Sequence, residues 1–316
     1  MHRRRLGSTG FEIAPLVFGG NVFGWTLDEA GSFRVLDGFV GAGCNLIDTA
    51  DVYSRWVPGN AGGESEALIG KWMKARGNRN QVLVATKVGF DMGAGRKGLG
   101  KARILAAVDE SLRRLQTDHI DLYQSHVDDP DTLQIETLEA YAALLKSGKV
   151  RAIGASQLAA ARLREALALS REHGLPAYQT LQPEYNLHDR SKFEAEYLAL
   201  CQEHDLGVIC YYGLASGFLS GKYRSEADFS KSPRGARMKT YLTDRGHRIL
   251  AALDDVGARR KARPATVALA WLMARPGITA PIASATSLEQ LAELVAATDL
   301  VLDAGDMAQL DQASAA

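Results

Sequence analysis

Cysteine is scarce: the three residues, Cys44, Cys201 and Cys210, stand far apart in apolar surroundings. That number and spacing offer neither a disulfide framework nor a metal-ligand set, and suit reduced thiols of a cytosolic chain. Charge of one sign is also missing, because 37 Lys and Arg balance 37 Asp and Glu. Without a global field, nucleic acid and anionic membranes are disfavoured, and a small molecule is the expected partner. No apolar run approaches the roughly 18 residues of a membrane-spanning helix. The basic start Met1-His2-Arg3-Arg4-Arg5 passes into Gly7, Ser8, Thr9 and Gly10 instead of an apolar segment, so no secretory leader is predicted. Nor is there a strand-GxGxxG-helix unit; the pairs Gly41–Gly43 and Gly93–Gly95 read as turn glycines.

What is present is an alternation. Hydrophobic residues make up 46% of the 316, enough for a sizeable core, and they fall into short Val/Ile/Leu runs separated by stretches of helical period. Candidate strands are Leu16–Gly19, Asn45–Asp48, Val82–Lys87, Ile120–His126, Val150–Ser156, Tyr178–Gln182, Gly207–Tyr211 and Thr279–Ala283. Ile104, Val108, Ser111, Leu112 and Leu115 share one helical face, as do Leu138, Tyr141, Ala142 and Leu145. Eight such repeats predict a (β/α)8 barrel, with an open doubly wound sheet as the alternative. Met1–Ala14 reads as a β-hairpin under the barrel and Asp303–Ser314 as an extra C-terminal helix. No linker interrupts the pattern, so residues 1–316 are expected to form a single domain. Ser216–Leu242 reads as a long irregular functional loop.

Active sites of such barrels lie at the C-terminal strand ends. The polar residues closing the runs are Asp48, Lys87, His126, Ser156, Gln182 and Tyr211. Taken singly, each suits a solvated strand end or a satisfied core group as well as a catalyst. Together they point to one shared mouth.

The segments Asn45-Leu-Ile-Asp48-Thr-Ala-Asp51-Val-Tyr53, Val-Ala-Thr-Lys87-Val-Gly and Leu-Tyr-Gln-Ser-His126 resemble the tetrad of the aldo-keto reductase superfamily, in its microbial, NADP-dependent form. The resemblance continues in family order through Gly154-Ala-Ser156-Gln157, Gln182-Pro-Glu-Tyr-Asn186, Phe218-Leu-Ser-Gly-Lys222-Tyr and Pro281-Ile-Ala-Ser284-Ala-Thr-Ser-Leu-Glu-Gln290. It implies hydride transfer between NADP(H), or NAD(H), and a small-molecule carbonyl or alcohol. In that reaction Tyr53 donates the proton, Lys87 and Asp48 tune it, and His126 orients the substrate oxygen.

The resemblance also implies cofactor contacts at Ser156, Gln157, Gln182 and Tyr211. Further contacts fall at Leu214, Ser216, Gly217, Leu219, Gly221, Lys222 and Arg224, and at Ser284, Thr286 and Gln290. Phe23 and Trp25 are expected to line the substrate pocket with the Val52–Gly63 loop. The sequence departs from the family in three places: Gln157 stands where Asn is usual, no Lys or Arg accompanies Ser284 and Thr286, and Leu294 stands where an adenine-contacting Asn is common. A Schiff-base lyase using Lys87 is a competing reading. So is a cofactor-binding regulatory subunit, because some members serve membrane channels.

Overall fold

The computed structural model describes residues 1–315. Its ten strands, in chain order, are β1 (Arg4–Arg5), β2 (Glu12–Ile13), β3 (Val17–Gly19), β4 (Leu46–Asp48), β5 (Leu83–Val88), β6 (Ile120–Ser125), β7 (Val150–Ser156), β8 (Thr180–Gln182), β9 (Gly207–Cys210) and β10 (Ala280–Ala283). Strands β3 to β10 pair in parallel with their sequence neighbours. Closure comes from β10 against β3, Ile282 opposite Val17, which excludes the open doubly wound sheet.

Helices cover the outside: α1 (Glu29–Gly41), α2 (Glu64–Arg76), α3 (Lys101–Leu115), α4 (Gln134–Lys146), α5 (Ala160–His173), α6 (Leu198–Glu203), α7 (Asp244–Arg260), α8 (Pro264–Ala274), α9 (Leu288–Ala296) and α10 (Ala304–Ser314). Helix α10 is the expected C-terminal one. Asp303 caps it reciprocally with Asp306, and both carboxylates take Arg260 from α7.

Strand period explains how polar groups enter the barrel. On β5, Val84 and Val88 join the outer core under the helices, whereas Ala85 joins the inner one; Lys87, two residues on, therefore also points inward. The same parity carries Gln124 on β6 beyond Leu122, and Asp48 on β4 beyond Leu46. Gly154 on β7 is required at this level. A Cβ there would lie 2.1 Å from Thr180 Oγ1 and 3.1 Å from Gln124 Cγ, so the room belongs to its neighbours' side chains.

The inner core continues into the hairpin of β1 and β2, where Leu6, Phe11 and Ile13 pack with Val17, Leu46 and Leu122. Gly7, at φ 52, approaches the start of β9 so closely that a Cβ would fall 2.2 Å from Gly207 N. The hairpin thus plugs the N-terminal end of the barrel.

Several expected boundaries shift. Tyr178 precedes β8 and its hydroxyl meets Ser125 Oγ on the helix side, while Tyr211 follows β9 and bridges Glu184. The Ser216–Leu242 stretch is not structureless but folds into three 3-10 turns, Ala215–Ser220, Glu226–Lys231 and Gly235–Thr240. Ser225 and Asp228 form a capping box for the second turn, satisfying its free backbone donors locally.

Candidate active site

Where the C-terminal strand ends converge, Lys87 Nζ donates to Asp48 Oδ2 at 2.7 Å, to Thr49 O at 2.8 Å and to Tyr53 Oη at 2.9 Å. The ammonium and carboxylate are both buried, so each depends on the other to offset desolvation. Asp48 is held on its other oxygen by Gln182 Nε2 at 2.8 Å and Gln124 Nε2 at 3.4 Å. Gln124 was not among the sequence candidates; its inward parity on β6 was the available signal.

Burial, followed by the negative charge of Asp48, pushes the Tyr53 phenol well above its ordinary value. Burial lowers Lys87, against the pull of Asp48. Burial and then the Lys87 charge hold His126 well below the usual imidazole value. The resulting protonation pattern is a protonated phenol beside a neutral imidazole, whose ring lies edge-on to Tyr53 at 5.9 Å and to Phe90 at 4.4 Å. His126 Nδ1 is buried without a partner.

These groups, apart from the fully enclosed Lys87, border a cavity of about 1110 Å³ that runs from Tyr53 and His126 to Gln290 and Glu293. Ser156, Gln157, Gln182 and Tyr211 line its middle. Ser156 Oγ donates to Gln182 O at 2.9 Å, and Gln157, at φ 50, donates from Nε2 to His126 O at 3.2 Å. The longer Gln157 side chain thus ties the loops after β7 and β6 together.

Leu214, Ser216, Gly217 and Lys222 also border the cavity. Ala215, Ser216 and Gly217 stand at φ 47, 57 and 103, a consecutive left-handed run that side-chain-bearing residues adopt only at a cost. Lys222 Nζ lies 5.1 Å over the Tyr223 ring. Ser284 Oγ donates to Gly19 O at 2.6 Å, and Thr286 Oγ1 to Gln290 Oε1 at 3.0 Å.

Besides the enclosed Lys87, four expected residues do not reach the cavity wall. Phe23 is fully buried and stacks on Phe18 at 5.4 Å, because the 3-10 turn Gly20–Val22 breaks strand parity before it. Leu219 is fully buried in the outer core. Gly221, at φ 77, caps the first 3-10 turn instead. Arg224 points away to Asp254, meeting both oxygens at 2.7 and 2.8 Å.

Trp25 does line the wall, joined by Trp56, Phe90, Tyr212, Asn21, Arg234 and Arg237. Most of these residues lie in loops, where no periodicity announces them.

The donor set suits an anionic dinucleotide. Amides and a hydroxyl surround the middle of the cavity, and a ring flanks it at Tyr211. A left-handed backbone run follows, with Lys222, which has no carboxylate partner among the described residues, as phosphate oxygens require.

Comparison with known proteins shows one family match along nearly the whole chain. A model of the aldo/keto reductase family matches residues 15–315. An uncharacterized oxidoreductase, YrpG, of Bacillus subtilis is 35% identical over 307 residues, covering 94% of this chain and 91% of that protein. Norsolorinic acid reductase of Aspergillus flavus is 30% identical over 328 residues, 99% of this chain and 80% of that protein. A probable voltage-gated potassium channel subunit beta of rice is 30% identical over 309 residues, 95% of this chain and 92% of that protein. Among the described residues no helix is long and apolar enough to cross a membrane, and no group of acidic, His and Cys side chains could hold a metal. With the match running from the first barrel strand to the last helix, the chain belongs to the aldo/keto reductase family.

Proposed function

We propose that this protein reduces an aldehyde or ketone with NADPH, or with NADH as the alternative, and catalyses the reverse oxidation of the alcohol. The observation that carries the proposal is the single ammonium of Lys87 touching both Asp48 and the Tyr53 hydroxyl at the cavity floor. The nicotinamide supplies the hydride. Tyr53, held protonated by burial, donates its proton to the carbonyl oxygen as negative charge develops there, and Lys87 steadies the phenolate that remains. His126, kept neutral, offers an N–H from Nε2 to the same oxygen and orients it.

Ser156, Gln157 and Gln182 would hold the carboxamide, and Tyr211 would stack on the ring. The Ser216–Gly217 backbone and Lys222 would take the pyrophosphate, with Ser284, Thr286 and Gln290 at the adenosine end. Lyase chemistry at Lys87 is opposed by its enclosure, because an ammonium with three protein acceptors and no cavity exposure cannot attack a carbonyl.

The test is NADPH and NADH oxidation across aldehydes, ketones and quinones. Turnover with any of these supports the proposal. Complete inertness of cofactor-loaded protein would favour a binding role like the one named for the rice relative.

A further inference from the structure

We propose that the buried carboxylates of Asp51 and Glu66 are positioning residues for Lys87, acting through β5 from the side of the barrel wall opposite the cavity. This rests on the reductase reading of the site, to which it adds an outer layer of acids.

Side chains alternate along β5, so Lys87 enters the barrel while Thr86 turns out toward α2. Thr86 Oγ1 donates to Glu66 Oε1 at 2.6 Å, and Asp51 N donates to Lys87 O at 3.2 Å. Glu66 thus holds the residue beside Lys87, and the Asp51 backbone holds Lys87 itself. The adjoining Ser65 Oγ accepts from Thr49 Oγ1 at 2.7 Å, and Thr49 O is one of the three acceptors of the ammonium. The strand and the loop that cradle Nζ are therefore fastened to the first turn of α2.

Both carboxylates are buried, and each takes an arginine from α3. Arg103 Nη2 donates to Asp51 Oδ2 at 3.1 Å, and Arg114 Nε to Glu66 Oε2 at 2.6 Å. Gly63, at φ 87, makes room for the second of these, because a Cβ there would lie 2.4 Å from Arg114 Cδ. Glu110 draws on the same two guanidinium groups at 3.6 and 3.9 Å, with Arg96 meeting it from the solvent side at 3.8 Å. Three acids thus share two enclosed arginines, and Asp51 Oδ1 and Glu110 Oε2 have no hydrogen-bond partner among the described residues.

The excess negative charge faces β5. Inside the barrel the ammonium meets Asp48 and Tyr53, with neutral His126 beyond them; behind the wall stand Asp51, Glu66 and the uncharged phenol of Tyr123. Burial lowers Lys87, Asp48 opposes that, and the charges of Asp51 and Glu66 add to the opposition. Asp51, raised to about 7 by burial and then by Glu66, is ionised over the alkaline range in which an ammonium is lost. Enclosed charges of this kind are little screened by salt.

Glu66→Gln keeps an acceptor for Thr86 and removes the charge. The alkaline midpoint of kcat for aldehyde reduction, which belongs to the coupled Lys87 and Tyr53 pair, should then fall by about half a pH unit or more. KM for aldehyde and for NADPH should stay within about twofold. NMR of lysine labelled with carbon-13 at Cε reads the ammonium directly, its signal identified by its absence from the Lys87→Met, Asp48→Asn double variant, and its midpoint should fall with that of kcat. Asp51→Asn should move both midpoints the same way, and it carries the test if Glu66→Gln does not fold. Thr86→Val leaves both charges but releases the strand, so kcat should drop about threefold or more with the midpoints unmoved, and Thr86→Ser should restore it. A Lys87 midpoint unmoved in either folded carboxylate variant overturns the proposal, and so does full turnover in Thr86→Val. Silence of the wild type across the carbonyl screen would refute the reductase reading alone, because the lysine signal still reports on the acids.

Discussion

Replacing Lys87 by Met tests the central ion pair on stability and on turnover at once. The substitution removes an ammonium that donates three hydrogen bonds and leaves the Asp48 carboxylate buried with the Gln182 and Gln124 amides and a 3.5 Å contact from the Tyr53 hydroxyl, but no cation. An unpaired buried charge of this kind costs about 3–5 kcal/mol. Tyr53 loses its 2.9 Å neighbour, and a loss of about 10²-fold or more in kcat is expected from impaired proton transfer. Adding Asp48→Asn removes the orphaned charge, so the double variant should recover most of the stability, because a buried pair replaced together is often nearly neutral. Its activity should remain close to that of the worse single variant, as for groups acting as a unit. Urea unfolding followed by circular dichroism measures the first quantity, and NADPH oxidation with a fixed aldehyde measures the second. Independent multiplicative losses in kcat, or a double variant less stable than Lys87→Met, would refute the coupling.

Tyr53→Phe should lower turnover by more than about tenfold while leaving cofactor affinity near wild type; retention of most of the turnover would remove Tyr53 from its role. His126 keeps a value well below 6.5 when folded, so below about pH 6.5 the unfolded chain binds a proton that the folded one refuses. Stability should fall as pH drops through that range, by up to about 1.4 kcal/mol per unit, and His126→Gln should flatten that arm of a urea-midpoint profile. Asp51 acts with the opposite sign: burial, then Glu66, raises it to about 7, so its contribution is lost as pH climbs from about 4 to 7. Asp51→Asn should remove that decline, and an unaltered slope would mean that Asp51 stays ionised. Finally, NADPH should bind more tightly than NADH, with the preference shrinking as salt rises and growing in Thr286→Arg. Equal, salt-independent affinities in fluorescence titrations would make the adenosine end blind to phosphate.

The barrel was legible because a parallel sheet buried on both faces writes continuous apolar runs, and the inward residues follow from counting by two. Asp48, Lys87 and Gln182 come together for that reason. Phe23 escaped the count because a 3-10 turn separates it from β3, and Tyr178 because its side chain turns to Ser125 instead of the barrel. Arg224 illustrates a different limit: its partner Asp254 lies 30 residues on, in α7, and no local pattern records a pairing at that distance. Trp56 reaches the Tyr53 ring and Arg234 the cavity wall through loop geometry alone, which hydrophobic period does not encode.

The hairpin plug has a consequence for proton supply. With Leu6, Phe11 and Ile13 filling the far end of the barrel, the vessel is blind, and water enters only over the rim. A phenol that has given up its proton at the floor must then be recharged from the same side through which reactants arrive. Under the proposed role of Tyr53, whatever occupies the mouth would also isolate the phenol from bulk solvent, so that re-protonation would wait on departure of the product. On that reading, the seal at one end would set the order of events at the other.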